Sequence, residues 1–270
     1  MKAAVLVDNI GNDGLPGEWG LSFYIEYKNQ KILLDAGQTG LFAENAGKLG
    51  LRLADVDYAV LSHAHYDHAD GMPVFFEQND RAKLYLKESC RENCYDRKEG
   101  RMKYIGIKSG MLEKYRDRII RVSGDKKIND GVWLISHSAE SMKKAGEREH
   151  MYLREGNDWV PDCFAHEQSL VFETESGIVI FNSCSHGGAD NIINEVSAAF
   201  SGRQICAMIG GFHLYNKSAE YVRRFAEKVR ATGVEKIYTG HCTGEEGYRI
   251  MHEVLGDKVR QLEAGLEIVL

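Results

Sequence analysis

The sequence lacks the main features of exported, membrane-spanning and nucleic-acid-binding proteins. No apolar run approaches the about 18 residues that a membrane-spanning helix needs. The first residues reach charge too early for a secretory signal, and residues 1–8 are predicted to form a first strand instead. A formal net charge of −6 argues against a general nucleic-acid binder. We therefore expect a cytoplasmic protein with no nucleic-acid or membrane partner. The oligomeric state is unknown at this point.

The chain also lacks the usual signs of a domain boundary. It contains only three prolines in 270 residues, and no Pro/Gly/Ser-rich linker or low-complexity segment divides it. This length suits one large domain or two small ones and allows a sizeable core. We predict a single domain over residues 1–270. Its six cysteines are expected to be mostly reduced, because no export signal is recognised.

Neither a serine-nucleophile motif nor a phosphate-binding glycine loop is present. What is present is a dense group of histidines at residues 63–68, directly after a short apolar run that is predicted to be a buried strand. His63 and His65 are two positions apart, so their side chains leave an extended backbone on the same face. The chain must turn at Asp67 and His68, which lets neighbouring side chains point at one spot. Three imidazoles and a carboxylate suit zinc, and also iron or manganese.

Three more histidines, His186, His213 and His241, each follow a predicted strand. In a layered α/β fold, loops at one end of the strands converge on the binding crevice. These histidines could therefore join the first cluster as ligands. His213 could instead contact a phosphate or move a proton. His166, which precedes the second predicted hairpin, is the main rival to His186 as a ligand.

Both halves of the chain alternate hairpins, helices and single strands. Segments 21–27 and 30–34 are predicted to form one hairpin, and segments 170–173 and 178–181 a second. Helices are predicted near 42–49, 192–200 and 218–231 from their apolar spacing. This order fits a layered α/β fold. Asp35, which ends the first hairpin, could be the partner of a ligand histidine.

Two excursions, at about 91–118 and 137–165, show no strong hydrophobic period and are predicted to be lids or binding loops. The first contains nine Lys/Arg and five Asp/Glu, a net charge of +4. Its side chains could line a mouth that attracts an anionic substrate, or could form a solvated, mobile loop. The residues concerned are Arg97, Lys98, Arg101, Lys103, Tyr104 and Lys108. Cys90, just before this excursion, and Cys94, near its start, could hold a metal or form a disulfide. We favour a helix on which they simply stack.

The string His63-Ala64-His65-Tyr66-Asp67-His68 resembles the HxHxDH signature of the metallo-β-lactamase superfamily. Other segments are similar to one branch, the 7,8-dihydropterin-6-methyl-4-(β-D-ribofuranosyl)aminobenzene 5'-phosphate synthase-like proteins. These segments are Glu18-Trp19-Gly20-Leu21-Ser22, Glu167-Gln168-Ser169-Leu170, Ser183-Cys184-Ser185-His186, Gly210-Gly211-Phe212-His213-Leu214 and His241-Cys242-Thr243-Gly244. The resemblance thus covers nearly the whole chain. One departure is Asp70, where the branch more often has a second glycine.

The resemblance implies an αββα sandwich, in which two mixed β-sheets pack face to face with helices outside. It also implies two divalent metal ions, with zinc expected first and iron or manganese as alternatives. One ion would be held by His63, His65 and His186, and the other by Asp67, His68 and His241. Many members bridge the ions with an aspartate after the second hairpin. Here Cys184 stands near that place, so the bridge would be a thiolate, or only water or hydroxide.

Three functions remain open from the sequence. The first is a metal-dependent hydrolase, in which metal-bound hydroxide attacks a small anionic ester, phosphoester or lactone. Asp67 would hold a metal and orient that hydroxide, and His213 is a further catalytic candidate. The second is a transferase like the branch's namesake, which would join a pterin diphosphate to an aminobenzene ribose phosphate. The third is an iron-dependent redox or sensing protein that uses Cys90, Cys94 or Cys184.

Overall fold

The computed structural model describes residues 1–137, 142 and 144–270. The chain divides into two compact units, each built from separate stretches of sequence. The first unit contains Met1–Ser123, Met142–Glu167 and Glu263–Leu270. The second unit contains Gly124–Ser141 and Gln168–Leu262. The expectation of a single domain over 1–270 stays a prediction beside this division.

The first unit is organised around a seven-stranded mixed sheet, with strands numbered here along the whole chain. Its strands are β1 Lys2–Val7, β2 Ser22–Tyr27, β3 Gln30–Leu34, β4 Tyr58–Val60, β5 Lys83–Lys87, β8 Ile119–Val122 and β18 Glu267–Val269. The spatial order is β18-β1-β2-β3-β4-β5-β8. Pairing is antiparallel from β18 to β3 and parallel from β3 to β8. The predicted hairpin is confirmed: Lys28 and Asn29 take positive φ values of 46° and 63°, as its two-residue turn requires.

Short helices connect these strands. They are α1 Leu41–Lys48, α2 Tyr66–Ala69, α3 Met72–Gln78, α4 Met111–Lys114 and α5 Ala145–Glu149. The first follows β3 and buries Phe42 and Ala46, the residues whose spacing predicted it. The helices α2 and α3 lie between β4 and β5, so the histidine-rich stretch comes at the carboxyl end of a buried parallel strand.

The second unit repeats this plan with a second seven-stranded mixed sheet. Its strands are β9 Lys126–Asn129, β10 Val132–Ser136, β13 Gln168–Thr174, β14 Gly177–Cys184, β15 Ile205–Gly211, β16 Lys236–Thr239 and β17 Val259–Gln261. The order is β17-β16-β15-β14-β13-β10-β9. The β13–β14 hairpin is antiparallel, and β14, β15, β16 and β17 pair in parallel. In both units, therefore, a hairpin leads into parallel strands whose carboxyl ends carry the candidate ligands.

Three longer helices cover the second sheet: α6 Ala189–Ala199, α7 Ala219–Ala231 and α8 Glu245–Leu255. Their apolar faces join strand residues in one core, which includes Val171, Ile180, Ile193, Phe225 and Ile250. The Ser218 hydroxyl caps α7 by accepting a hydrogen bond from the Tyr221 amide. Four 3₁₀ helices complete the description: Leu53–Asp55, Arg116–Arg118, His241–Thr243 and Gly256–Lys258.

The two excursions contain regular strands, so the expectation that they are irregular is wrong, while their role as lids or binding loops stays a prediction. They form a four-stranded antiparallel sheet within the first unit, in the order β12-β11-β6-β7. Its strands are β6 Tyr95–Lys98, β7 Arg101–Tyr104, β11 Met151–Glu155 and β12 Asp158–Pro161. Strands of four or five residues with mostly exposed side chains are too short to show a hydrophobic period. Residues 138–141 and 143 of the second excursion lie outside the described residues.

No helix among the described residues is both long enough and apolar enough to cross a membrane. The mixed sheets with their covering helices agree with the predicted α/β class.

Candidate metal centre

The first unit gathers the histidines of residues 63–68 into one buried cluster. The ring centroids of His63 and His65 are 4.6 Å apart, and those of His63 and His68 are 4.2 Å apart. His65 caps the start of α2, and Asp67 and His68 lie in its single turn. The nearest Asp67 carboxylate oxygen is 3.9 Å from His68 Nε2. The predicted grouping of these four side chains is therefore present within this unit.

Asp35 orients the His68 ring directly and the His63 ring through Ser62. Its Oδ2 lies 2.8 Å from His68 Nδ1 and accepts a hydrogen bond of 2.7 Å from the Ser62 hydroxyl. Its Oδ1 accepts from the Ser62 amide, and the Ser62 hydroxyl is also 2.8 Å from His63 Nδ1. A His68 Nδ1–H that points to a carboxylate leaves Nε2 as the metal donor, as ligating histidines require. The predicted contact between Asp35 and a candidate ligand histidine is therefore present, and the ligand role of His68 stays a prediction.

The protonation state of the cluster fits a metal site. Burial, with a smaller contribution from nearby His166, lowers the pKa of His65 to about 3. The ring is therefore neutral at physiological pH, and neutral imidazole is the form that binds a metal. Together with the Asp67 carboxylate, these buried rings supply the nitrogen and oxygen donors that zinc, iron and manganese accept.

His166 lies beside this cluster and holds its backbone. The Ala64 amide, between the two first histidines, donates to His166 Nδ1 at 3.2 Å. His166 Nε2 is 3.1 Å from Asp162 Oδ2 and 3.6 Å from Cys94 Sγ. Burial opposes a charged ring, but the Asp162 carboxylate and Cys94 outweigh it and raise the pKa of His166, whereas the Ala64 amide favours a neutral ring. His166 thus holds the ligand loop, residues 63–68, at Ala64. Its ring also offers a donor atom within 4.8 Å of those of His65, Cys94 and Asp162, a group that could hold a metal ion, so its place as a rival ligand stays a prediction.

The segment around Cys90 and Cys94 is not helical, so the favoured stacking interpretation is wrong. Both thiols are buried around His166, since Cys90 Sγ lies 3.6 Å from its carbonyl oxygen. Sequence reasoning missed Asp162 altogether. It stands four positions before His166 in a segment without helical or strand period, so no local signal marked it.

The ligand loop is also hydrogen-bonded to the segment that follows β7 within the first excursion. The Tyr66 amide donates to the Ile105 carbonyl at 3.0 Å. The Lys108 amide donates to Asp70 Oδ1 at 2.8 Å. Asp70, the departure from the branch pattern, therefore anchors the +4 segment beside residues 63–68. The neighbouring Gly71 has no space for a side chain, because a Cβ there would lie 2.0 Å from the Ala36 carbonyl oxygen.

In the second unit, the three predicted histidines follow three adjacent parallel strands. His186 follows β14, His213 follows β15 and His241 follows β16. All three side chains are buried. The ring centroids of His186 and His213 are 5.0 Å apart. Their donor atoms and the Cys184 sulfur lie within 4.8 Å of one another, so this unit brings these predicted residues together.

Cys184 also belongs to a second group of donors in this unit, with His241 and Cys242. The sulfurs of Cys184 and Cys242 are 3.0 Å apart. Burial alone would raise the pKa of the Cys242 thiol, but hydrogen bonds from Cys184 and His213 and the nearby His241 hold that pKa well below its usual value. Cys184 thus belongs to both donor groups of this unit, and its role as a bridging ligand stays a prediction.

A buried hydrogen-bond network supports the loop that carries His186. His137 Nδ1 contacts the Glu195 carboxylate at 2.9 Å, and its Nε2 contacts the Ser169 hydroxyl at 2.7 Å. Asn182 donates to the same hydroxyl at 3.1 Å and accepts from the Ser185 hydroxyl at 2.9 Å. The network therefore runs from α6 to the residue that precedes His186. Sequence reasoning gave His137 no role, because its partners are distant along the chain.

The structure therefore assembles each half of the predicted ligand set inside its own unit. The first unit gathers His63, His65, Asp67 and His68, and the second gathers Cys184, His186, His213 and His241. How these residues are shared between metal ions stays a prediction. His150 and His252 are exposed, and they are not part of either group.

Comparison with known proteins identifies the family to which the chain is similar. A model of the metallo-β-lactamase superfamily matches residues 19–142. The 7,8-dihydropterin-6-methyl-4-(β-D-ribofuranosyl)-aminobenzene-5'-phosphate synthase of Methanocaldococcus jannaschii is 27% identical over 262 residues, covering 91% of this chain and 88% of that protein. An uncharacterized protein of the same organism is 30% identical over 243 residues, covering 89% and 90%.

Among solved structures, a metal-dependent hydrolase of the β-lactamase superfamily is similar over 100% of this chain and 99% of its own. Its TM-score is 0.85 at 26% sequence identity. This similarity confirms the predicted metallo-β-lactamase fold, and the sequence relatives confirm the predicted branch. The chain belongs to the metallo-β-lactamase superfamily, in the branch of proteins similar to the dihydropterin-aminobenzene ribose phosphate synthase.

Proposed function

We propose that this protein is a metal-dependent hydrolase of a small anionic ester, phosphoester or lactone. The observation that carries the proposal is the contact of 2.8 Å between Asp35 and His68 Nδ1, inside a cluster of buried histidines. A carboxylate that fixes the distal nitrogen of a histidine is the usual support of a metal ligand. The similarity to a metal-dependent hydrolase over the whole chain adds to it.

The proposed ligands follow the resemblance of the sequence. His63, His65 and His186 would hold one divalent ion, and Asp67, His68 and His241 the other, with Cys184 as the bridging candidate. Zinc is the first expectation, because it accepts nitrogen, oxygen and sulfur donors together. Bound divalent ions lower the pKa of coordinated water and polarise the oxygen under attack.

The side chains of the protein itself would position the reactants. Asp67 offers a carboxylate that is slightly accessible and next to the His68 ring, where it can accept a hydrogen bond from the nucleophile. His213 is placed by an unusual backbone, with φ of 51°, and its ring lies beside those of His186 and Tyr215. We propose that His213 contacts the anionic group of the substrate or transfers a proton to the leaving group.

The β6–β7 hairpin, called here the basic hairpin, would attract the anionic substrate. Arg97, Lys98, Arg101 and Lys103 are all exposed on it. Two hydrogen bonds join the segment that follows it to the ligand loop: the Tyr66 amide donates to the Ile105 carbonyl, and the Lys108 amide donates to the Asp70 carboxylate. Its positive charge therefore lies on the same unit as the histidine cluster, where it would raise the local concentration of an anion.

The proposal is tested with protein stripped of metal by a chelator and then reloaded with zinc. The probes are p-nitrophenyl phosphate, bis(p-nitrophenyl) phosphate, a carboxylated lactone and neutral p-nitrophenyl acetate, each in heavy-oxygen water. We expect turnover of an anionic probe only after reloading, with one heavy oxygen in the product. Equal turnover by the stripped protein, or products without the label, would contradict hydrolysis at a metal site.

A second candidate function is the synthase reaction, because a named synthase is 27% identical over 91% of this chain. In that case the metals would stabilise a diphosphate leaving group, and an aminobenzene ribose phosphate would displace it. Diphosphate release from a pterin diphosphate without incorporation of heavy oxygen would favour this alternative. Stoichiometric iron with a visible charge-transfer band would instead favour a redox or sensing role.

A further inference from the structure

Cys184 and Cys242 meet across an intervening strand. Cys184 ends β14, and Cys242 lies in the 3₁₀ helix that follows β16, so β15 runs between them. Gly211, at the end of β15, is the register partner of Cys184. A Cβ on Gly211 would lie 2.4 Å from Cys242 Sγ. Because Gly211 has no side chain, the Cys242 side chain can occupy the space beside its backbone and reach Cys184.

The two sulfurs are not joined by a disulfide, and they are close enough to bind one ion after a small change in geometry. Their separation of 3.0 Å is clearly longer than the disulfide bond of about 2.05 Å. Two sulfurs that bind one tetrahedral zinc at about 2.3 Å lie about 3.8 Å apart. A displacement of less than about 1 Å would therefore open the pair to an ion, a change within reach of χ1 adjustment.

Two features of the backbone fix the position of the Cys242 sulfur. The His213 amide donates to this sulfur at 3.3 Å. The backbone that presents His241 and Cys242 is strained, because His241 has φ of 48°, a conformation that costs on the order of 1–3 kcal/mol in a residue other than glycine. Such strain persists where the surrounding structure imposes it, often at functional sites. Here it brings an imidazole and a thiol of adjacent residues within 4.8 Å of Cys184.

We propose that Cys242 is a metal ligand and that Cys184, His241 and Cys242 form a thiolate-rich site for a zinc-like divalent ion. Sulfur donors select zinc, iron and cobalt over magnesium and manganese, so the site would exclude the harder ions. Two thiolates would also balance the charge of a divalent ion that is buried away from water. This inference rests on the metal dependence of the proposed function, but not on which reaction is catalysed.

Cobalt(II) tests the inference, because each bound thiolate contributes a charge-transfer band in the near ultraviolet. The reduced, metal-free protein is titrated with cobalt as wild type, Cys184→Ser, Cys242→Ser and the double variant. The matched control is Cys206→Ser, a buried thiol of β15 in the same unit that donates to the Ser176 carbonyl. We expect each single variant to lose about half of the band and the double variant to lose all of it, with the control unchanged.

The outcomes separate this inference from the proposed function. A full band in Cys242→Ser, or bound cobalt without any band, would overturn the thiolate site and leave a nitrogen–oxygen metal site intact. Failure of the wild type to bind cobalt would overturn both. A second measurement needs no variant: in wild type, zinc should protect Cys184 and Cys242 from alkylation by iodoacetamide, while exposed Cys163 reacts as before. Alkylation of Cys242 in the metal-free protein that zinc does not slow would also contradict the site.

Discussion

The Asp35 carboxylate contacts Nδ1 of His68 at 2.8 Å, although 33 positions separate the two residues in sequence. Both side chains are fully buried. The contact arises because β3 and β4 are parallel neighbours, so the residues that follow them come out at the same edge of the sheet. Asp35 thus supports the ligand loop. It contacts His68 directly, and the Ser62 hydroxyl connects it to His63.

Replacing Asp35 by asparagine should weaken metal binding. An amide keeps the shape of the side chain but loses the charge that makes the histidine a stronger donor. We expect Asp35→Asn to lower zinc affinity by about 10–100-fold, the usual effect of removing such a partner. Competition with a chromophoric chelator measures this. Asp55→Asn, which alters an exposed pair with Lys31, is the matched control and should change nothing. Equal affinities for both variants would count against the role of Asp35.

The basic hairpin should bind the anionic end of the substrate. Single exposed charges contribute little, so the four residues Arg97, Lys98, Arg101 and Lys103 are neutralised together. We expect KM for a phosphorylated substrate to rise far more than KM for a neutral one, with unchanged metal content, and the difference should shrink at high salt.

The control for this prediction removes the same charge elsewhere. Arg223, Arg224, Lys228 and Arg230 are exposed on α7 in the second unit. Their neutralisation changes the net charge equally and should leave both KM values unaltered. If the two quadruple variants behave alike, or if the hairpin variant affects both substrates equally, the hairpin is only a solvated surface.

Gly71 should tolerate no side chain. A Cβ would approach the Ala36 and Thr39 carbonyl oxygens at 2.0 and 2.6 Å, and backbone cannot move aside as a flexible side chain does. We expect Gly71→Ala to lower the free energy of unfolding by about 1–3 kcal/mol or more. Gly47→Ala is the control, since nothing lies within 4 Å of its Cβ position in α1, and it should stabilise by roughly 0.5–1 kcal/mol. Urea unfolding followed by circular dichroism compares them, and similar midpoints would refute the close approach.

His137 should stabilise the second unit through its two buried contacts. In His137→Leu the buried Ser169 hydroxyl and the partly exposed Glu195 carboxylate each lose one hydrogen-bond partner, and such a loss at a buried polar group costs about 1–3 kcal/mol. The same substitution at exposed His252 should have almost no effect. The midpoints of urea unfolding compare the stability of the two variants. Equal midpoints would mean that the network adds no stability.

Sequence patterns predicted most of the two large sheets, because their signals are local. The turn at Lys28 and Asn29 and the apolar spacing of Phe42 and Ala46 depend only on neighbouring residues. The dense histidines after β4 identified the ligand loop for the same reason. His186 and His241 were candidates because each follows a predicted strand, and the family resemblance supplied the division of the ligands between two ions.

Contacts between segments that are distant in sequence could not be predicted from the sequence. The small sheet pairs β6 with β11, and Tyr95 lies opposite Tyr152 in that pairing. Strands this short and exposed show no period, so their partner could not be anticipated. Asp162 and Cys94 meet at His166 in the same way, from segments that have no pattern of their own. Such contacts depend on tertiary packing alone.

The central claim is that the two donor groups hold divalent ions, and metal content per chain tests it most directly. Protein purified without added metal is measured by elemental analysis as wild type, His68→Ala and exposed His252→Ala. We expect about two ions in the wild type and the control, and about one in His68→Ala with an unchanged circular dichroism spectrum. Equal metal content in all three proteins, or none in the wild type even after zinc is added, would contradict the account.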